Sequence, residues 1–205
     1  MAQERARERQ RRILEAALQV YARRGYGAAT MDEVARASRT SKGGLYFHFP
    51  SKEDLFLALL RYAGQRLLEK AQEAMAAAPD PVSRADAALS TVLRTFSRHR
   101  ALARILLLEG YGAGRRFQAE VTALRGRCAA LVRGCLEEAM AQGLIGPLDA
   151  ELTARAWFGA VAEVIVHWLQ TGQPRRLEDA YPHLRALFLR SVGLPPGGVD
   201  HHPTP

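Results

Sequence analysis

The chain has little cysteine, few aromatic and β-branched residues, and no long apolar run. Cys128 and Cys135 are the only two cysteines in 205 residues. That excludes a disulfide framework and a cysteine-rich zinc site. Seven positions apart on a helix, they share a face with Cα atoms ~10 Å apart, too far for a disulfide. Both read as small core hydrophobes. Met1 to Arg12 is charged and has none of the apolar segment a secretory leader needs. The longest mainly apolar stretch, Trp157 to Leu169, is interrupted by Glu163 and His167 and is too short to span a bilayer. The expected location is the cytoplasm, with no membrane partner. No Ser/His/Asp spacing, metal-ligand cluster or phosphate-binding glycine loop is present, so neither a catalytic nor a metal site is expected. His48, His99, His167 and His183 are scattered, and His201 and His202 lie in a tail expected to bind nothing.

What is there suits a packed helical protein. The chain is 48% hydrophobic and 24% charged, which excludes wholesale disorder. Its length suits one domain or a small module joined to a larger one. Ala, Leu and Arg are abundant, which favours helices. The net charge of +8 suggests an anionic partner without choosing which.

Residues 1–10 read as a solvated arm or frayed helix start. From Arg11 an apolar stripe (Ile13, Leu14, Ala17, Leu18, Val20, Tyr21) predicts a helix ended by Gly25. Thr30-Met31-Asp32-Glu33 is a capping box opening a short helix to Ala37. Ser41 opens a second, through Tyr46 to Phe49, and Pro50 stops it. Ser51-Lys52-Glu53-Asp54 caps a long helix to about Ala77. Further helices are predicted at about 82–97, 100–109, 116–142, from Asp149 to about Gln170, and at about 177–191. In the last of these Pro182 delays the regular part by a turn. The reading is all-α, with a head over 1–50, a body over 51–194 and a disordered tail over 195–205. No internal repeat is present.

Residues 30–49 carry the chemistry. Two helices of about seven residues are joined by about three, with Val34, Ala35, Leu45 and Phe49 placed to pack them together. This is helix-turn-helix spacing, and the second helix would enter a major groove. Its first turn offers Thr40, Ser41, Lys42, Gly43 and Gly44, whose backbone N–H groups favour phosphate and whose glycines let backbone approach the duplex. Residues 1–62 hold 12 basic and 7 acidic residues, against 17 and 14 in 63–205, so the head has the higher positive charge density. Arg5, Arg7, Arg9, Arg11 and Arg12 of the arm could reach a minor groove or simply be solvated.

The run Ile13-Leu14-Glu15-Ala16-Ala17, Gly25-Tyr26, Ala29-Thr30-Met31, Val34-Ala35, Ser41-Lys42-Gly43, Leu45-Tyr46-Phe47-His48-Phe49 and Ser51-Lys52-Glu53-Asp54-Leu55 resembles the N-terminal domain of the TetR family of transcriptional repressors. The resemblance implies an N-terminal three-helix helix-turn-helix domain followed by a helical ligand-binding and dimerisation domain. It implies phosphate contacts from Thr30, Tyr46 and Lys52. It places Thr40, Ser41, Lys42, Gly43, Gly44 and His48 in or beside the recognition helix. Two residues depart from the family pattern. Arg39 stands where glycine is usual, and Thr40 where an aliphatic residue is usual. Either the turn relaxes or Arg39 is retained to contact DNA. Gly44 replaces a more usual threonine.

A helix-turn-helix head needs two copies to match a pseudo-palindromic operator, so a homodimer on double-stranded DNA is expected. The last two helices are the expected dimer surface, through Ile165, Trp168, Leu184, Leu187 and Phe188; the first is apolar on more than one side and the second is striped, and a helix of that kind is either interior or at an interface. The resemblance also implies a small-molecule effector. Candidate ligand residues are Phe96, Arg104, Leu107, Tyr111, Arg115, Arg116, Phe117, Arg133, Trp157 and Val161. An apolar stretch with arginines around it suits an amphiphile with an anionic head. The segment from Pro147-Leu148-Asp149 through Trp157-Phe158-Gly159-Ala160 to Thr171-Gly172 is similar to the fatty-acid-degradation regulators of this family, which sense long-chain acyl-CoA. The effector expected first is therefore a long-chain acyl-CoA, with no cofactor. A sensor of another hydrophobic compound, a drug or aromatic acid controlling efflux, stays open, as does an activator role. An effector-less DNA binder and an enzyme are the remaining rivals.

Overall fold

The computed structural model describes residues 2–109 and 114–195. Tyr111, His201 and His202 lie outside the described residues, as does the tail from residue 196. Every regular element among the described residues is helical: α1 (Ala2–Ala28), α2 (Met31–Ala37), α3 (Lys42–His48), α4 (Lys52–Ala76), α5 (Pro81–Arg98), α6 (Arg100–Arg104), α7 (Arg115–Ala141), α8 (Ala150–Thr171) and α9 (Tyr181–Ser191). A π-helical turn, Ile105–Glu109, continues α6, where one regular helix was expected over 100–109. A 3-10 turn, Leu177–Ala180, precedes α9, and Pro182 sits in that helix's first turn as its missing N–H requires.

The caps explain the boundaries. Thr30, Ser41 and Asp149 each accept a backbone N–H three residues on, from Glu33, Gly44 and Leu152. Gly172 closes α8 in the left-handed region at φ 74°. The N-terminal segment differs from the arm reading, because α1 begins at Ala2. Arg11 bonds Glu8 at 2.7 Å and Glu15 at 3.2 Å, and such pairs, with good helix formers around them, carry the helix outward. Gly25 interrupts α1 at φ 75°, ψ 161°.

The chain forms two compact units. The first takes residues up to Arg66 together with His99–Ala123. The second takes Leu67–Arg98 and the chain from Leu124. Helices α4 and α7 contribute to both, and Gly64 lies buried within an uninterrupted α4. In the first unit Ile13, Ala17 and Tyr21 of α1, Val34 and Ala35 of α2, Leu45 of α3 and Leu55, Phe56 and Leu59 of α4 are buried. Tyr21, Tyr26, Phe56 and Phe117 form an aromatic cluster with ring centroids 4.6–6.0 Å apart. In the second unit Leu136, Ala139, Ile145, Ala150, Ala154 and Val192 share one core. Asp86 there accepts from Tyr181 Oη at 2.6 Å and pairs with Arg185 at 3.2 Å, tying α5 to α9. This bond and burial push the Tyr181 phenol up to about 12, desolvation being the larger cause.

Candidate nucleic-acid interface

The interface is built from the turn between α2 and α3. Helix α2 starts at a full capping box: Thr30 Oγ1 accepts from the Glu33 N–H at 3.2 Å and the Glu33 carboxylate accepts from the Thr30 N–H at 3.0 Å. That backbone bond first, with Arg24 at 3.1 Å adding to it, holds the Glu33 carboxyl below its ordinary range. The stability this contributes is full above the ordinary carboxylate range and is lost as pH falls through the lower folded value. Acidification from neutral pH to about pH 3 is therefore expected to lower the unfolding midpoint less in Glu33→Gln than in the wild type, measured by urea titration. Equal pH-dependence of the two would contradict it.

The turn does not relax at Arg39. Its φ is 53°, the one positive φ outside glycine among the described residues. The Arg39 N–H bonds the Arg36 carbonyl at 3.2 Å, and the Thr40 N–H bonds the Ala35 carbonyl at 3.0 Å. This is the Schellman closure that normally takes glycine. Ser38, buried beneath it, donates to the Ala35 carbonyl at 3.2 Å. The Arg39 side chain is left exposed.

Helix α3 buries Leu45 and exposes its opposite face. Val34, Ala35, Leu45 and Phe49 are all buried, as the spacing required. Ser41 caps α3, and Gly44 packs so tightly behind it that a Cβ there would lie 3.0 Å from Ser41 Oγ and 3.1 Å from Thr40 Cγ2. A side chain there would require the Ser41 hydroxyl and the Thr40 methyl to give by a few tenths of an ångström. Gly43 faces open space. Lys42 pairs with Asp32 of α2 at 3.0 Å, which raises its pKa through that hydrogen bond. Tyr46 is 41% exposed, Phe47 85%, and His48 half-buried.

Two further residues shape this region. Lys52 is engaged, since its Nζ donates to the Gly27 carbonyl at 2.9 Å and sits 4.7 Å over the Tyr26 ring. It positions α4 against the link between α1 and α2. Phe47 was not singled out, yet it is the most exposed large apolar residue of this face. The available signal was its place off the Val34, Ala35, Leu45, Phe49 stripe.

A second contact reaches the head from the π-helical turn. Glu109 accepts from the Tyr26 N–H at 3.1 Å, where Gly25 breaks α1, and pairs with Arg104 at 3.2 Å. Of the other ligand candidates, Leu107, Arg115, Arg116 and Phe117 lie in the first unit, where Phe117 is buried in the aromatic cluster. Phe96, Arg133, Trp157 and Val161 lie in the second, where Trp157 stacks on Phe188 at 4.7 Å and Arg133 pairs with Glu151 at 3.1 Å. Of the five dimer candidates, Ile165, Trp168, Leu184 and Phe188 are buried within the chain itself and only Leu187 is exposed, at 55%. Their apolar character is used inward. No helix among the described residues is long and apolar enough to cross a membrane.

A rigidly capped pair of short helices with one exposed face, on a helical body, defines a helix-turn-helix transcriptional regulator. Residues 13–59 match the pattern described as bacterial regulatory proteins, tetR family, and residues 78–192 match the tetracyclin repressor-like C-terminal domain. The chain belongs to the TetR family. It is 27% identical over 167 residues to the uncharacterised HTH-type transcriptional regulator YhgD of Bacillus subtilis, covering 82% of this chain and 87% of that one. Two solved structures share the fold. The fatty acid degradation regulator FadR from Bacillus halodurans has a TM-score of 0.80 at 23% identity, covering 87% of this chain and 96% of its own. FadR from Bacillus subtilis in complex with stearoyl-CoA also has a TM-score of 0.80, at 20% identity, covering 89% and 97%.

Proposed function

We propose that this regulator acts as a homodimer on a pseudo-palindromic operator and is released from it by an amphiphilic effector, best matched by a long-chain acyl-CoA, so that it represses fatty-acid-degradation genes in the cytoplasm. The observation that carries the DNA-binding part is the exposed α3 face, with Gly43, Tyr46 and Phe47 outward and Leu45 inward. Thr30, Thr40, Ser41, Lys42, Gly44, His48 and Lys52 frame or contact the same duplex surface. The fold likeness to a stearoyl-CoA-bound regulator supports the effector class. The arginines Arg104, Arg115, Arg116 and Arg133 are the candidates for an anionic head, and Phe96, Leu107, Phe117, Trp157 and Val161 the apolar candidates, each within its own unit. Because α4 supplies backbone to both units, an effector that shifts it would change the spacing of the two recognition helices. The exposed Leu187 of α9 and Leu152 of α8, 65% exposed, support a dimer surface on these two helices.

The test is a gel shift on DNA from the gene's own upstream region, titrated with a long-chain acyl-CoA and with free CoA. Release by acyl-CoA alone is expected. Specific binding that neither compound releases would overturn the effector assignment. It would favour the competing reading, a sensor of a neutral hydrophobic or aromatic compound. One observation supports that rival: Arg104 and Arg133 are already paired to Glu109 and Glu151.

Arg39 gives a second prediction. Arg39→Gly relieves about 1 kcal/mol of left-handed strain, less what glycine adds in unfolded-chain entropy, so stability holds or rises. Operator affinity falls and its salt dependence flattens by about one phosphate contact. Unchanged affinity and slope would show that Arg39 makes no DNA contact.

A further inference from the structure

We infer that α1 carries a second duplex-contacting surface, a basic strip of Arg5, Arg9 and Arg12 that grips phosphates flanking the site covered by α3; this rests on the operator-binding reading above. The side chains of residues 3–12 are all exposed, so this outer part of α1 is held by no core packing. Its charges are sorted by face. At 100° per residue Glu4, Glu8, Arg11 and Glu15 share one side, where Arg11 bonds Glu8 and Glu15. Arg5, Arg9 and Arg12, at i, i+4 and i+7, form the neighbouring strip; Arg12 acts on the Glu8 carboxyl through space, but none of the three closes an ion pair among the described residues.

Like charges at that spacing oppose the helix by a few tenths of a kcal/mol, a local conflict that a polyanion relieves. At 1.5 Å per residue the strip spans ~10 Å, the axial reach of about three phosphates on one strand. The guanidinium fork matches phosphate better than an ammonium does. A helix ~10–12 Å across does not fit a minor groove ~6 Å wide, so the strip lies on the backbone instead of inserting as an extended arm. The segment has alanines but no large apolar side chain, so it lacks the face an interfacial membrane helix buries. The duplex is therefore the fitting polyanion.

The experiment uses the full chain and a duplex that the wild-type protein selects from a random pool, made with and without ten flanking base pairs on each side. Arg5→Gln/Arg9→Gln/Arg12→Gln is compared with the wild type and with the triple lysine variant between 50 and 200 mM salt. On the flanked duplex the glutamine variant is expected to flatten the log affinity against log salt slope by about 2.7. The wild-type advantage then shrinks about 40-fold across that range. Trimming the flanks brings the wild type to the variant's slope, while the lysine variant keeps most of the wild-type slope. Equal slopes on the flanked duplex, with selective binding intact, overturn the strip and leave the operator reading standing. Loss of binding to phosphatidylserine vesicles with equal DNA slopes would assign it to a lipid surface and equally overturn it. If the wild type selects no duplex, both readings fall.

Discussion

Phe56→Ala is expected to destabilise the protein by about 3–5 kcal/mol, the usual loss for a large buried aromatic cut to a methyl. Phe56 is fully buried on α4. Its ring meets Tyr21 edge-on at 5.2 Å, Tyr26 at 4.6 Å and Phe117 at 5.2 Å. It therefore joins α1 and α4 to the start of α7 behind the helix-turn-helix. Against a total stability of about 5–15 kcal/mol, the loss is a large fraction of what keeps the protein folded. DNA binding should fall with it although no DNA-facing residue has changed. Phe56→Leu, which keeps most of the volume, should lose less than half as much. Guanidinium unfolding followed by circular dichroism measures both. A loss under about 1.5 kcal/mol for the alanine variant would mean the cluster does not organise this unit.

Gly25→Ala is the second large effect. At φ 75°, ψ 161° the residue occupies a region essentially closed to side chains, and forcing it there costs about 1–3 kcal/mol. The space itself is adequate, since a Cβ would meet the Glu109 carboxylate at 3.5 Å, an ordinary contact. Backbone conformation and not collision is the cause. If the chain escapes the strain by rotating, the Tyr26 N–H leaves Glu109, and a bond to a charged acceptor worth about 1.5–3 kcal/mol goes with it. Either route destabilises the link between α1 and α2. Gly27, two residues on, has open space, so Gly27→Ala is the matched control and should lose nothing. A Gly25→Ala variant as stable as this control would refute the argument.

The local signals were legible because they act over one helical turn. The capping box at Thr30 and Glu33, the caps at Ser41 and Asp149, the glycine stop at Gly172 and the start of α9 with Pro182 in its first turn all follow from backbone groups within a turn of one another. The left-handed residue in the turn was legible as a conflict at Arg39, and the tertiary structure resolved it by keeping the strain. Other features depended on partners far along the chain. Lys52 is occupied by Gly27 and Tyr26, Glu109 by Tyr26 across 83 positions, and Asp86 by Tyr181 across 95. No periodicity reports which distant backbone N–H a carboxylate will meet.

An apolar helix has the same pattern whether it packs inward or against another subunit. Ile165, Trp168, Leu184 and Phe188 therefore read as interior or interface alike, and only folding shows them buried within the chain. The sequence by itself determined the all-helical class, the helix-turn-helix and its family, because those depend on spacing and on chemistry within a turn or two. Only the tertiary structure decided which side chains remain outward on α3 and α1 and which cations are already spent on ion pairs. Burial and pairing are properties of neighbours that only folding brings together.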